Sequence, residues 1–273
     1  MPLNCGVVVM RLGFGRVRGA AVIRVAAIGL GALGAAMATP AAADPRLDEV
    51  VYSPYVENHE LELETRIGQE VGSGDLHGAQ TMVNELEYGV NDRLSVALVT
   101  SVERAPGEPQ RLTGVGVEGI YYLGQIPKVG VDVGVYLEAT KGAGGDPDGG
   151  EAKLLLAKTD GRFQGLFNFI VERPFNGPPG EVYASYGYAA SATWRTVGAL
   201  RLGAEAFGDF GDDHGFLAHP QGAYVGPQVK WEGKPSFLPV EVEVDAGWLA
   251  AVGPDRQEAA SQLRLNVELE HRF

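Results

Sequence analysis

Carboxylates are the most abundant side chains in this sequence that could do chemistry, and many recur at every second position. Glu60, Glu62 and Glu64 alternate with aliphatic or Thr residues, as do Glu85 and Glu87, Glu241, Glu243 and Asp245, and Glu268 and Glu270. A period of two places such residues on one face of an extended strand. The same parity assigns Glu118, Asp132, Glu138, Glu172, Glu205 and Asp209 to that face, with Arg66, Lys153, Arg162, Arg201, Lys230, Arg264 and Arg272 against them. Acids therefore exceed bases along it. A surface of this kind lowers the energy of cations and raises that of anions.

Other chemistry is sparse. There is no Gly-x-Ser-x-Gly elbow, no His-Glu-x-x-His and no phosphate-binding loop. The five histidines are His59, His77, His214, His219 and His271. His77 stands near Ser73 and Asp75, and His214 follows Asp212 and Asp213, but solvated loop positions account for both, so no enzyme activity is expected. Asp146-Pro147-Asp148-Gly149-Gly150-Glu151 has part of the acid spacing of a calcium loop without its full ligand register. No cofactor and no metal are expected from these motifs. The single cysteine, Cys5, lies in the N-terminal region discussed below, which removes thiolate chemistry from the remainder.

The elements that would position the acidic rows are short, alternating segments. Twelve can be marked: His59–Gly68, Ala79–Val90, Leu94–Arg104, Thr113–Leu123, Val129–Glu138, Glu151–Lys158, Arg162–Arg173, Val182–Trp194, Leu200–Asp209, Gly222–Trp231, Leu238–Ala250 and Leu263–Phe273. Asn84 falls on the apolar side of the second, and Pro227 interrupts the tenth, where a ladder donor is missing. Compact turns such as Asn91-Asp92-Arg93 and Thr159-Asp160-Gly161 alternate with longer Gly-, Pro- and Asp-rich connections. An even strand count with short turns at one end and long loops at the other suits a closed up-and-down barrel. Tyr88, Tyr121, Trp194, Trp231, Trp248 and Phe273 lie near segment ends, where interface aromatics belong.

Period alone does not say which face is inside. A soluble sandwich or lipocalin-like barrel would turn the apolar face inward. Glycines on the polar face, among them Gly114, Gly116, Gly130, Gly134, Gly187, Gly203 and Gly247, favour a crowded interior over a solvated surface.

The N-terminal region sets the compartment. Residues 1–43 contain no Asp or Glu, carry Arg11, Arg16, Arg18 and Arg24, and continue through Val25–Met37 into Ala41-Ala42-Ala43. This is the pattern of a signal peptide cut after Ala43. Loss of four arginines moves the formal charge from −13 to −17. So acidic a chain is not a nucleic-acid partner, since phosphate affinity rests on Lys and Arg. Residues 44–58 read as a lead segment, and 59–273 as the barrel.

The last strand, Leu263 to Phe273, resembles the C-terminal strand by which Gram-negative outer-membrane β-barrels are assembled. That resemblance implies an insertion signal ending in Phe273, with the barrel-assembly machinery and outer-membrane lipids as partners. Val51-Tyr52-Ser53-Pro54-Tyr55-Val56-Glu57, Glu60-Leu61-Glu62-Leu63, Glu87 to Leu94 and Glu268 to Phe273 are similar to proteobacterial barrels related to the MetA-pathway family of phenol degradation. The resemblance implies location and fold, not a substrate.

The expectation is an all-β chain, a single antiparallel transmembrane barrel of about twelve strands. Its lumen would be lined by Glu60, Glu62, Glu64, Arg66, Glu118, Asp132, Glu138, Glu172, Arg201, Glu205, Lys230, Glu241, Glu243, Asp245, Arg264, Glu268 and Glu270. A channel or transport component for small cationic or neutral solutes follows from that lining. The alternatives are a closed structural or surface-binding barrel, a rim lipid hydrolase and a soluble periplasmic ligand carrier.

Overall fold

The computed structural model describes residues 47–178, 182–217 and 222–273; the expected signal peptide lies outside them. Twelve strands occur among the described residues: β1 Glu60–Val71, β2 Gln80–Asn91, β3 Leu94–Arg104, β4 Arg111–Ile126, β5 Val131–Gly142, β6 Gly149–Asp160, β7 Phe163–Pro174, β8 Ser185–Arg195, β9 Leu200–Asp212, β10 Ala223–Gly233, β11 Glu241–Val252 and β12 Ser261–Arg272. Each pairs antiparallel with its chain neighbours, and β1 closes on β12 from Glu60↔Arg272 to Val71↔Ser261. The result is a closed barrel with no free strand edge. No helix among the described residues is long and apolar enough to cross a membrane.

The alternating sequence explains both the strands and their orientation. Leu63, Val96, Leu98, Val117, Leu137 and Leu265 stand exposed on the outer face, with Leu98 59% accessible, whereas Glu64 and Glu85 on the opposite parity are 5% and 3% accessible. A soluble barrel would hide the aliphatic row. Here the charged row is enclosed and the aliphatic row faces out, as lipid contact requires. A strand of twelve residues is about 40 Å long and rises about 30 Å at a tilt near 40°, the thickness of a bilayer's hydrocarbon core.

Replacing Leu98 by Arg should therefore cost about 2–4 kcal/mol, the range for a basic residue on a barrel's lipid face near the midplane. Denaturant titration in lipid vesicles would measure it. A change below about 0.5 kcal/mol, the level of an ordinary surface substitution, would contradict the orientation.

Local irregularities have identifiable causes. Asn84 does face outward, where its Oδ1 accepts a 3.0 Å bond from Thr65 Oγ1 on the adjacent strand. This mutual pairing lets the strand keep its period with a polar group on the lipid side. The β10–β11 pairing skips Gly226 and Pro227, between Val225↔Ala250 and Gln228↔Gly247. β11 begins at Glu241 and not at Leu238, because Pro239 has no N–H to give the ladder.

At the end that holds Phe273, four connections are short (92–93, 127–130, 161–162 and 196–199), but 234–240 is longer. At the other end the loops run from 105–110, the shortest with 143–148, to 175–184 and 213–222. The length asymmetry is thus real, with one exception.

The interior is not uniformly polar. Ala157, Leu166, Ile170, Ala189, Phe207, Tyr224, Leu249 and Ala251 form a buried apolar cluster on β6 to β11, and Val51 of the segment before β1 packs into it. Ile120, Tyr136 and Leu155 form a second cluster around Tyr52. The expected wet, charged lumen is therefore corrected on this side. Apolar residues line the wall where a piece of the chain covers them.

Candidate functional site

Strand register aligns the carboxylates in rows across the wall. Crossing the wall from strand to strand, Glu241 stands opposite Glu270, Glu270 opposite Glu62, and Glu62 opposite Glu87. Ala97 interrupts the row, which resumes with Glu118, Glu138, Glu151 and Glu172. A second row lies two residues further along the strands, through Glu232, Glu243, Glu268, Glu64 and Glu85. Barrel strands are tilted, so a row perpendicular to them climbs the wall. This one starts at the first residue of β11, at the end holding the C-terminus, and reaches Glu172 near the opposite end of β7. Like charges directly across a ladder are unfavourable, so this arrangement does not arise from the demands of folding.

Fixed cations and hydroxyls offset part of the charge. Arg66 Nε lies 3.0 Å from Glu64 and Nη2 3.5 Å from Glu85. Lys230 pairs with Glu243. The Tyr136 hydroxyl stands 2.7 Å from Glu118 and 2.6 Å from Glu138, and Asn266 Nδ2 donates to Glu268 at 2.6 Å. Carboxylate oxygens of Glu62, Glu64 and Glu268, of Glu85, Glu87 and Glu118, and of Glu243, Glu268 and Glu270 lie within 4.8 Å of one another. Oxygen sets of this type are the donors that hard divalent cations take.

The remaining residues expected on this face are distributed as follows. Asp132 accepts from Tyr55, Tyr122 and Gln125 at 2.8, 2.6 and 3.2 Å. Arg201 is buried and donates to Thr193 Oγ1 at 2.9 Å. Glu205 is buried, Asp245 accepts from Gln228, and Glu172 accepts from Ser185 Oγ at 3.4 Å. Glu60 is half-buried at the rim, whereas Glu241 and Arg272 are exposed there. Arg162 stands in the turn before β7 and is exposed as well.

The segment preceding β1, expected only to lead into the barrel, lies inside it. The Tyr52 N–H donates to Asn168 Oδ1 at 2.7 Å, and Asn168 Nδ2 donates back to the Tyr52 carbonyl at 2.9 Å. One side-chain amide thus does for Tyr52 what a neighbouring strand would do. Arg66 donates to the Tyr52 hydroxyl, and Lys153 Nζ lies over the Tyr52 and Tyr136 rings at 4.4 and 4.7 Å. Burial holds the Tyr52 hydroxyl well above the usual phenol range, more than the nearby Arg66 charge lowers it, so it stays neutral. Tyr55 is pushed up to about 12 by burial and by its bond to Asp132, and remains a donor.

Lys153 also pairs with Glu49 at 2.6 Å and Glu151 at 2.7 Å, while Arg264 donates to the Glu49 carbonyl at 2.5 Å. A cavity of about 30 Å³ remains beside this segment, bordered by Arg66, Glu205, Asp245 and Arg264.

Glycines of the inner wall make room for the segment's backbone. A Cβ on Gly68 would stand 2.0 Å from the Leu47 carbonyl oxygen, one on Gly89 1.8 Å from that of Glu57, and one on Gly134 2.8 Å from Pro54 Cβ. The crowding expected from the inward glycines is therefore in part crowding by the chain's own N-terminal segment. Sequence reasoning missed Glu49, Tyr52, Tyr136, Glu151 and Asn168. A signal existed for the last of these, an amide amid the aromatic and aliphatic residues of Phe163–Pro174.

The histidine and loop motifs have local partners. His77 is exposed, and His214 Nδ1 lies 3.0 Å from Asp213 on an exposed loop. Asp146 pairs with Arg111, and Asp148 pairs with Lys141 at 2.7 Å and accepts from the Gly142 N–H at 3.1 Å. The acids of the fragmentary calcium loop are thus engaged with basic side chains.

No protein-family model matches the chain, and no curated protein matches it by sequence. Solved outer-membrane proteins align with the chain at low identity and low TM-score. OmpT of Vibrio cholerae, in a form lacking loop L8, shares 11% identity over 78% of this chain and 98% of its own, with a TM-score of 0.33. The outer membrane channel DcaP of Acinetobacter baumannii shares 7% over 78% and 96%, with a TM-score of 0.33. OccD1 (OprD), as a double variant, shares 12% over 77% and 65%, with a TM-score of 0.37.

Proposed function

We propose that the chain is a transport component of a Gram-negative outer membrane, exported through a cleaved signal peptide and passing small cationic or neutral solutes. The observation that carries this is the row of carboxylates climbing the inner wall from Glu241 through Glu270, Glu62 and Glu87 to Glu118, Glu138, Glu151 and Glu172. Enclosed acids of one sign focus a field that concentrates cations and repels anions. The proposed role is passage without catalysis. Phe273, exposed next to the closing strand, would serve the barrel-assembly machinery as the insertion signal. The likeness to MetA-pathway barrels is consistent with this location and supplies no solute.

Liposome swelling with solutes of matched size tests the proposal. Cationic and neutral solutes are expected to enter faster than anionic ones, and faster anion entry would overturn it. A second reading, a closed structural or surface-binding barrel, is favoured by the Leu47–Asn58 segment within the lumen. Absence of swelling with every solute would select that reading.

A further inference from the structure

We infer that the segment Leu47–Asn58 is a displaceable plug whose departure from the lumen opens the barrel, an inference that rests on the transport reading. The segment joins no sheet. Every wall strand is already paired on both sides by another strand, so the plug can leave without breaking a ladder bond. Its attachments are contacts with wall side chains: Asn168 to the Tyr52 peptide, Lys153 to Glu49, Arg264 to the Glu49 carbonyl, Arg66 to the Tyr52 hydroxyl, Asp132 to Tyr55 and Arg272 to Glu57, with Val51 and Tyr52 packed on the two apolar clusters. Such contacts exchange for water or solute one at a time, the buried Lys153–Glu49 pair at the greatest cost, whereas a ladder opens only with its strand.

The wall is shaped to receive this backbone, through Gly68, Gly89 and Gly134, and among the described residues only its β1 end is tied to the wall by backbone-to-backbone hydrogen bonds. His59, with φ of 57°, turns the chain from the plug into β1. Its N–H donates to the Gly89 carbonyl at 2.9 Å, its carbonyl accepts from the Phe273 N–H at 3.1 Å, and its Nδ1 lies 3.0 Å from the Tyr88 hydroxyl. That is a pinned hinge at the rim, with a detachable arm inside. When the arm leaves, Lys153 loses its Glu49 partner while the carboxylate row gains solvent along its length.

The test uses the full mature chain in planar bilayers, with Pro54→Cys and Gly134→Cys combined. Pro54 Cβ lies 2.8 Å from the position a Cβ at 134 would take, so a disulfide requires the plug to retreat by about 1 Å. The chain's own cysteine, Cys5, is in the expected signal peptide and does not interfere.

The reduced double variant, in which Gly134→Cys crowds the segment at position 54, is expected to conduct above the wild-type level, to close on oxidation, and to reopen with reductant. Gly68→Val, which presses on the Leu47 carbonyl, is expected to raise conductance severalfold. Oxidised and reduced forms that conduct equally would overturn the plug and leave the transport reading intact. Silence of the wild type, the double variant and Gly68→Val, all inserted as barrels, would overturn both.

Discussion

Lys153→Met is expected to destabilise the barrel by about 3–5 kcal/mol, the range for removing one partner from a buried ion pair. Lys153 is 4% exposed at its side chain and sits between Glu49, likewise 4% exposed, and Glu151. Met matches its length and fills the same space, so the loss reports the ammonium, with its ion pairs and its place over the Tyr52 and Tyr136 rings, more than the packing of the stem. Both carboxylates would then remain enclosed without their ammonium. Adding Glu49→Gln should restore part of the loss, because one of the two stranded charges is removed with its cause. Denaturant unfolding in lipid vesicles, run as a double-mutant cycle, checks this. Additive effects of the two changes would contradict the pairing.

The second large effect concerns selectivity. Glu62, Glu64 and Glu268 place carboxylate oxygens within 4.8 Å of one another in the middle of the acidic rows. An ionised carboxylate about 7 Å from a passing cation contributes ~0.6 kcal/mol at the dielectric of water. Changing all three to Gln should therefore cost a cation at most a little under about 2 kcal/mol, the figure for three full charges, which is about a twentyfold fall in occupancy. The same change relieves like-charge pairs across the ladder, Glu62 from Glu270 and Glu64 from Glu85, at ~0.2–1 kcal/mol each. The variant is thus expected to be less cation-selective, while its stability balances this relief against the loss of Glu64 as the buried partner of Arg66. Unchanged permeability ratios in an inserted triple variant would contradict the role assigned to the row.

The fold was legible because every wall strand must satisfy two solvents at once. Leu94–Arg104 shows this most clearly, since its bounds were read directly from its alternation and agree with the strand observed. Asn84 broke the pattern without breaking the strand, because Thr65 on the next strand supplies its partner. That pairing depends on register, which sequence spacing leaves open.

The acidic face was legible residue by residue, but its continuity was not. Whether Glu62 meets Glu87 or a neutral residue depends on stagger across the closed sheet, and so does the gap at Ala97.

The plug was least visible. Val51-Tyr52-Ser53-Pro54-Tyr55 has the proline and mixed polarity of a connection, and its Asn168 partner lies 116 residues away. Period also tells which side of a strand a residue takes, not what will cover it. Leu155, Ile170 and Phe207 therefore gave no sign that part of the lumen is an apolar bed for the chain's own N-terminal segment.

The reversal potential of single open channels under a potassium chloride gradient tests the central claim most directly. The acidic wall requires a potential displaced toward that of potassium, and a smaller displacement at high salt, where screening shortens the reach of each carboxylate to about 3 Å at 1 M. A potential displaced toward chloride would contradict it, because no arrangement of these enclosed carboxylates favours an anion over a cation.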